Sequence, residues 1–195
     1  MPTLCFGGTF NPIHNAHLLC AQAVAEKAGY DRVLLVPTAS PPHKASDELA
    51  PAGDRLAMCQ LAIEGKKLFA VSDIETRRGG ASYTVDTVRE LSQAGQKPIS
   101  WLIGGDMLMY LPKWHRIGEL LNEVNFVVMA RPGWVMDWSA LSSEFRQLQS
   151  HVVEAPLIDI RSSEIRRRVR AGEPIEAMVP SAVAKYINEH HLYEC

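Results

Sequence analysis

Two histidines three residues apart follow a pair of glycines in the run Gly7-Gly8-Thr9-Phe10-Asn11-Pro12-Ile13-His14-Asn15-Ala16-His17. Glycine leaves the backbone free of side chains, so a ligand can approach Gly7 and Gly8 closely. A helix predicted to begin at Asn15 adds unpartnered N–H groups and the positive end of its dipole. These are the parts of an anion site, and a phosphate is the anion they suit. His14 and His17, at the mouth of that helix, can face one phosphoryl group and stabilise charge that builds on it. The run is neither G-x-G-x-x-G nor G-x-x-x-x-G-K-[ST], so it is not the ordinary dinucleotide fingerprint or the P-loop. H-x-x-H without a third ligand is poor evidence for zinc, and no metal ligands are assigned.

A second anion site is legible at Ser162-Ser163, where another helix starts with either serine a reasonable N-cap. Arg166, one turn in, adds a guanidinium. Its neighbours Arg167, Arg168 and Arg170 read as a solvated face, because Ile165 and Val169 mark the buried stripe. Asp106 follows Gly104-Gly105 at a strand end, where a carboxylate can bind ribose hydroxyls. Trp114, on a turn after Leu111-Pro112-Lys113, has a flat face on which a ring can stack. Trp101, inside a strand, reads as core; Trp134 and Trp138 receive no role.

Short apolar runs alternating with helical patterns must position these residues. Strands are predicted at Thr3 to Phe6, Arg32 to Val36, Phe69 to Ile74, Ile99 to Ile103, Phe126 to Ala130 and, least distinctly, from Val152. Helices are predicted at Asn15 to Lys27, Asp54 to Ile63, Thr84 to Ala94, His115 to Leu121, Ser139 to Ser150, Ser163 to Ala171 and Ser181 to His190. In the first helix Ala16, Leu19, Cys20, Ala23 and Val24 form an apolar face. Glycine stops follow at Gly29 and Gly95. The expected fold is α/β: a Rossmann-like, doubly wound, mostly parallel sheet with helices on both faces and a C-terminal helical segment from about residue 160 to 195. No repeat or linker divides residues 1–195, so a single domain is expected. Ligands in such sheets bind beyond the carboxyl ends of the strands, near the switch point of strand order.

Bulk properties exclude broad classes. Of 195 residues 47% are hydrophobic, enough for a substantial core. The formal charge of −2 argues against a general nucleic-acid or anionic-membrane binder. No window approaches the roughly 20 apolar residues of a membrane span. Cys5, Cys20, Cys59 and Cys195 form no C-x-x-C pair and suit reduced thiols, the first three buried. The N-terminus lacks a basic secretory n-region. A cytoplasmic protein is expected, with homo-oligomerisation left open.

The run Gly7 to His17 resembles the H-x-G-H nucleotidyltransferase superfamily, usually Gly-Gly-Thr-Phe-Asp-Pro-x-His-x-Gly-His; Asn11 and Ala16 depart from that form. Val36-Pro37 with Pro41-Pro42-His43-Lys44, Ser82-Tyr83-Thr84-Val85-Asp86-Thr87 and Ile103-Gly104-Gly105-Asp106 resemble the bacterial nicotinate-nucleotide adenylyltransferases. So do Leu111-Pro112-Lys113-Trp114, Ala130-Arg131-Pro132-Gly133 and Ile160-Arg161-Ser162-Ser163-Glu164-Ile165-Arg166. The matches run in order along nearly the whole chain. The resemblance implies attack by the 5′-phosphate of nicotinate mononucleotide on the α-phosphorus of ATP, with Mg²⁺ accompanying ATP. It implies catalytic roles for His14, His17, Lys44 and Arg166. ATP would be bound by Gly7, Gly8, Thr9, Phe10, Arg131, Ile160, Ser162 and Ser163, and the mononucleotide by Thr84, Gly105, Asp106 and Trp114. Members of the family often have Ser where this chain has Arg161, which either adds a phosphate contact or points outward. Relatives that use nicotinamide mononucleotide or phosphopantetheine share the first motif, and a nucleotide-binding regulator without catalysis is the reading from a different class.

Overall fold

The computed structural model describes residues 2–41 and 48–194. Six strands form one sheet: β1 (Thr3–Gly8), β2 (Arg32–Pro37), β3 (Phe69–Val71), β4 (Ile99–Gly104), β5 (Asn125–Ala130) and β6 (Val152–Glu154). Their order is β3-β2-β1-β4-β5-β6 and every pairing is parallel. The sheet is thus parallel throughout, where the sequence suggested mostly parallel. The chain winds outward from β1 to β3, then crosses back to β4 and winds the other way. The switch of direction lies between β1 and β4, where the carboxyl ends diverge and open a crevice.

The helices are α1 (Asn15–Ala28), α2 (Ala52–Ala62), α3 (Ile74–Arg78), α4 (Thr84–Gln93), α5 (Ile117–Glu123), α6 (Ser143–Arg146), α7 (Ser162–Arg170) and α8 (Ser181–Glu189). Strand side chains alternate between two cores. Leu4, Phe6, Val33, Leu35, Leu102 and Val127 pack with α1, α2, α7 and α8 on one face. Cys5, Leu34, Val36, Trp101, Ile103 and Val128 pack with α4, α5 and α6 on the other. With both faces covered, the strands read as continuous apolar runs. Each buried Leu or Val contributes about 1.5–3 kcal/mol relative to exposure.

Three expectations need correction. In α1 the buried residues are Ala16, Leu18, Cys20, Ala21, Val24 and Ala25, while Leu19 is half exposed. Alanines and a cysteine make two adjacent faces look equally apolar, and packing on the sheet chose the one through Leu18 and Ala21. The strand expected at Phe69 to Ile74 ends at Val71, and α3 follows. The helix expected from Ser139 to Ser150 is only α6, flanked by 3₁₀ turns at Trp138–Ala140 and Gln147–His151. By contrast Gly29 closes α1 at φ 75°, its N–H donating to the Ala25 carbonyl, a left-handed cap that glycine adopts without strain.

Candidate active site

Two cavities open at the carboxyl end of the sheet, and both are lined by Phe6 and Gly104, from β1 and β4. They are halves of the crevice that the switch of strand order creates.

The first half, about 340 Å³, is lined by His14, His17, Arg131, Ile160, Arg161 and Ser162, with Gly105, Asp106 and Trp134 at its β4 side. The backbone of His14 is extended (φ −148°, ψ 170°) and caps α1. Its N–H donates to Nδ1 of His17 at 3.3 Å. His17, at the third helical position, reaches back as Glu or Gln does in a capping box. Because Nδ1 accepts, it holds a lone pair, and the ring hydrogen of His17 sits on Nε2. The two imidazoles stack with centroids 3.6 Å apart. Burial pushes His14 down from 6.5 to about 4, so it is neutral at physiological pH and acts through dipoles rather than as an imidazolium. Phe10, at φ 45°, lies edge-on to Phe6 and His17. It shapes the histidine pair from behind rather than lining either cavity.

On the far wall α7 begins at Ser162, with Arg161 as the cap residue. The first N–H groups of any helix lack intrahelical acceptors, and here they belong to the Ser162-Ser163 segment that the sequence marked. The Ser162 hydroxyl is already committed, donating to the Pro12 carbonyl at 3.0 Å. Ser163 is exposed and lines neither cavity. Arg166 is not brought to either cavity: its guanidinium donates to the Asn11 carbonyl at 2.9 Å and pairs with Glu48 at 2.8 Å. At this end of α7 the arginine that lines the cavity, as Arg131 does just past β5, is Arg161, paired loosely with Asp159 at 3.3 Å among exposed side chains.

The second half, about 310 Å³, is lined by Gly7, Gly8, Thr9, Thr38, Tyr83, Thr84, Trp101, Trp114 and His115, and by the buried Glu75. Thr84 starts α4, with Tyr83 as its cap. Trp114 ends the 3₁₀ turn Leu111–Lys113 and rests edge-on against Phe126. The rings of Tyr83 and His115, both on the wall of this cavity, pack against one another with centroids 4.3 Å apart. Gly7 has no room for a side chain, since a Cβ there would lie 2.5 Å from the Trp101 ring. The sequence grouped Gly105 and Asp106 with Thr84 and Trp114, and Gly7, Gly8 and Thr9 with the histidines. The fold distributes them the other way, around the shared boundary. Lys44 lies outside the described residues.

Sequence reading missed three residues. Arg55 is fully buried, yet it donates to the carbonyls of Ala50, Thr9, Thr38 and Ala39. It ties the ends of β1 and β2 to the start of α2. Its signal was present: Arg55, Met58, Cys59 and Ala62 occupy the helical spacing of a buried stripe. Glu75 accepts from the Thr87 hydroxyl at 2.6 Å, while its Oε2 has no hydrogen-bond partner. Burial raises its pKa, opposed by Thr87, Ser82, Arg78 and Arg55. No local pattern marks it, because α3 was not expected. Trp134 stands so close over Gly105 that a Cβ there would meet its ring at 2.7 Å. Its loop has no periodicity to show which way it turns.

Residues 5–168 match the cytidylyltransferase-like family model. A Bacillus pumilus protein named probable nicotinate-nucleotide adenylyltransferase is 42% identical over 190 residues, covering 97% of this chain and 96% of its own. One of the same name from Halalkalibacterium halodurans is 43% identical, covering 96% and 89%. The solved Plasmodium falciparum nicotinic acid mononucleotide adenylyltransferase, in complex with NaAD, has a TM-score of 0.76 at 18% identity, covering 100% of this chain and 98% of its own. At that identity the structural likeness speaks for the fold, while the sequence relatives speak for the family. The chain belongs to the cytidylyltransferase-like family and, within it, to the nicotinate-nucleotide adenylyltransferases.

Proposed function

We propose that this protein transfers the adenylyl group of ATP to nicotinate mononucleotide, giving nicotinate adenine dinucleotide and pyrophosphate, a step in NAD biosynthesis. The observation that carries this reading is the pair of cavities meeting at Phe6 and Gly104. One is built for anions, with His14, His17, Arg131, Arg161 and the α7 N-terminus; the other presents Trp114 and Thr84 to a flat, polar-edged ring. Two nucleotides placed in them would meet phosphate to phosphate at the shared boundary.

In the reaction a 5′-phosphate oxygen of the mononucleotide forms a bond to the α-phosphorus of ATP. The bond from that phosphorus to the bridging β-oxygen breaks, and the electron pair leaves with pyrophosphate. The attacking phosphate is already anionic, so the protein supplies alignment and charge stabilisation rather than a strong base. His17, with its hydrogen on Nε2, is the donor we assign to the transferring phosphoryl group; His14 stacks behind it. Arg131, Arg161 and the N–H groups opening α7 would receive the outgoing phosphates. Lys44 and Arg166 remain assigned to the phosphates, Arg166 after release from Glu48. Thr84 and Trp114 would hold and stack on the pyridine ring, and Asp106 the ribose hydroxyls.

Mg²⁺ accompanying ATP would offset the repulsion between two anionic reactants. Among the described residues no three His, Cys, Asp or Glu side chains are grouped to hold an ion. We read residues 1–195 as one nucleotidyltransferase domain, since a single sheet and its two cores include strands and helices from both ends. The three buried free thiols support a cytoplasmic setting. Among the described residues no helix is long and apolar enough to cross a membrane.

A coupled pyrophosphate assay with each mononucleotide tests the proposal. Turnover should be greater with the acid than with the amide. Equal or greater turnover with the amide would sink the nicotinate assignment, and ATP binding without pyrophosphate release would favour a regulator.

A further inference from the structure

The motif turn between β1 and α1 is held by a residue from the far end of the sequence. The Tyr193 hydroxyl donates to Oδ1 of Asn11 at 2.8 Å, across 182 positions of the chain. The same oxygen accepts the Ala50 N–H at 3.0 Å, and the Asn11 Nδ2 donates to the Glu48 carbonyl at 2.9 Å. A backbone N–H can only donate and a carbonyl can only accept, so these partners fix which way the amide points. Every polar group of the Asn11 side chain is thereby engaged, and Arg166 binds its backbone carbonyl.

We propose that Tyr193 is a positioning residue that holds Asn11, and through it the histidine-bearing turn and the Glu48–Ala50 segment, in the geometry that receives ATP. The inference rests on reading that turn as the nucleotide site. Two further observations support it. Tyr193 sits at φ 69°, in the left-handed region that an aromatic residue rarely adopts, so the surrounding structure holds it there against local preference. Burial also raises the Tyr193 pKa, which keeps the phenol a donor. The consequence reaches beyond one hydrogen bond. Residues 48–50 are tied in turn to Thr38 and Ala39 through Arg55, which donates to the carbonyls of all three of Ala50, Thr38 and Ala39. Asn11 in place of the usual Asp suits this role, because a carboxylate could not donate to the Glu48 carbonyl.

The test compares two conservative variants. Tyr193→Phe keeps the ring and removes the hydroxyl. Tyr186→Phe is the control: it removes a comparable bond, to Asp54 at 2.9 Å from α8, that does not touch the motif turn. Tyr193→Phe is expected to lower kcat/KM for ATP and weaken ATP binding by about three- to tenfold, the range of one neutral hydrogen bond. Tyr186→Phe should leave both unchanged, with similar small shifts in Tm for the two variants. Combined with Asn11→Ala, Tyr193→Phe should add little further loss. Full ATP binding and turnover in Tyr193→Phe, or a fully additive double variant, would overturn the positioning role. A wild-type protein that binds ATP but releases no pyrophosphate would instead overturn the functional reading, and the binding comparison would still judge Tyr193.

Discussion

The backbone N–H of His14 donates to Nδ1 of His17, and the two rings stack 3.6 Å apart. One hydrogen bond therefore sets both the rotamer and the tautomer of His17. It leaves the hydrogen on Nε2. The side chain that closes the start of α1 is the one we assign to the transferring phosphoryl group.

Replacing His17 by Ala is expected to lower kcat by on the order of 10²–10³, as loss of one transition-state donor commonly does. The α1 cap should cost about 1 kcal/mol of stability. Single-turnover rates and urea unfolding on the same preparation separate the two effects. An unchanged rate in a folded variant would remove His17 from the mechanism.

Stability should depend on pH through His14. Its pKa falls from 6.5 to about 4 on burial, so between those values the unfolded chain binds the proton more readily than the folded one. Folding free energy is then fully present above pH 6.5 and declines as pH falls toward 4, by about 3 kcal/mol. The paired carboxyls of Glu119 and Glu164 are lowered to about 2 by their arginine partners, and their contribution is lost only below pH 4.5. Urea unfolding between pH 6.5 and 4.5 therefore reads the histidine effect, opposed there by Glu75, whose raised pKa favours the folded state as pH falls. A His14→Gln variant should show a flatter profile; an identical slope would contradict the assignment.

Arg161 lines the anion cavity, whereas Arg166 is occupied by Glu48 and Asn11. Arg161→Ser should raise KM for ATP by about three- to tenfold, a modest effect because the side chain is exposed and solvent screens its charge. Its Tm should hardly move. An unaltered KM would show that Arg161 points away from the phosphates.

Trp114→Ala should raise KM for the mononucleotide on the order of tenfold, the usual worth of an aromatic stacking partner, while KM for ATP changes little. Equal effects on both substrates would mean that Trp114 supports the fold around Phe126 rather than the ring.

The parallel doubly wound sheet was legible because strands covered on both faces must be uniformly apolar, and helices must repeat near 3.6 residues. Boundaries failed where those signals weaken. In α1 the small residues blur the buried face, and around Trp138 to His151 short turns imitate a helix. The geometry of the motif turn was equally legible, since glycines, a helix start and spaced histidines are local features. Arg55 was readable only as a charge on a buried stripe, and Glu75 and Trp134 not at all, because what they touch comes from distant segments.

By itself, then, the sequence determined the sheet and the reaction class, both of them set by local spacing and ordered motifs. Only the tertiary structure decided which cavity each residue lines, that Arg161 rather than Arg166 lines the anion cavity, and that Tyr193 holds Asn11. The physical reason is that backbone preference acts over a few residues, whereas a hydrogen bond spanning 182 positions exists only once the whole chain has packed.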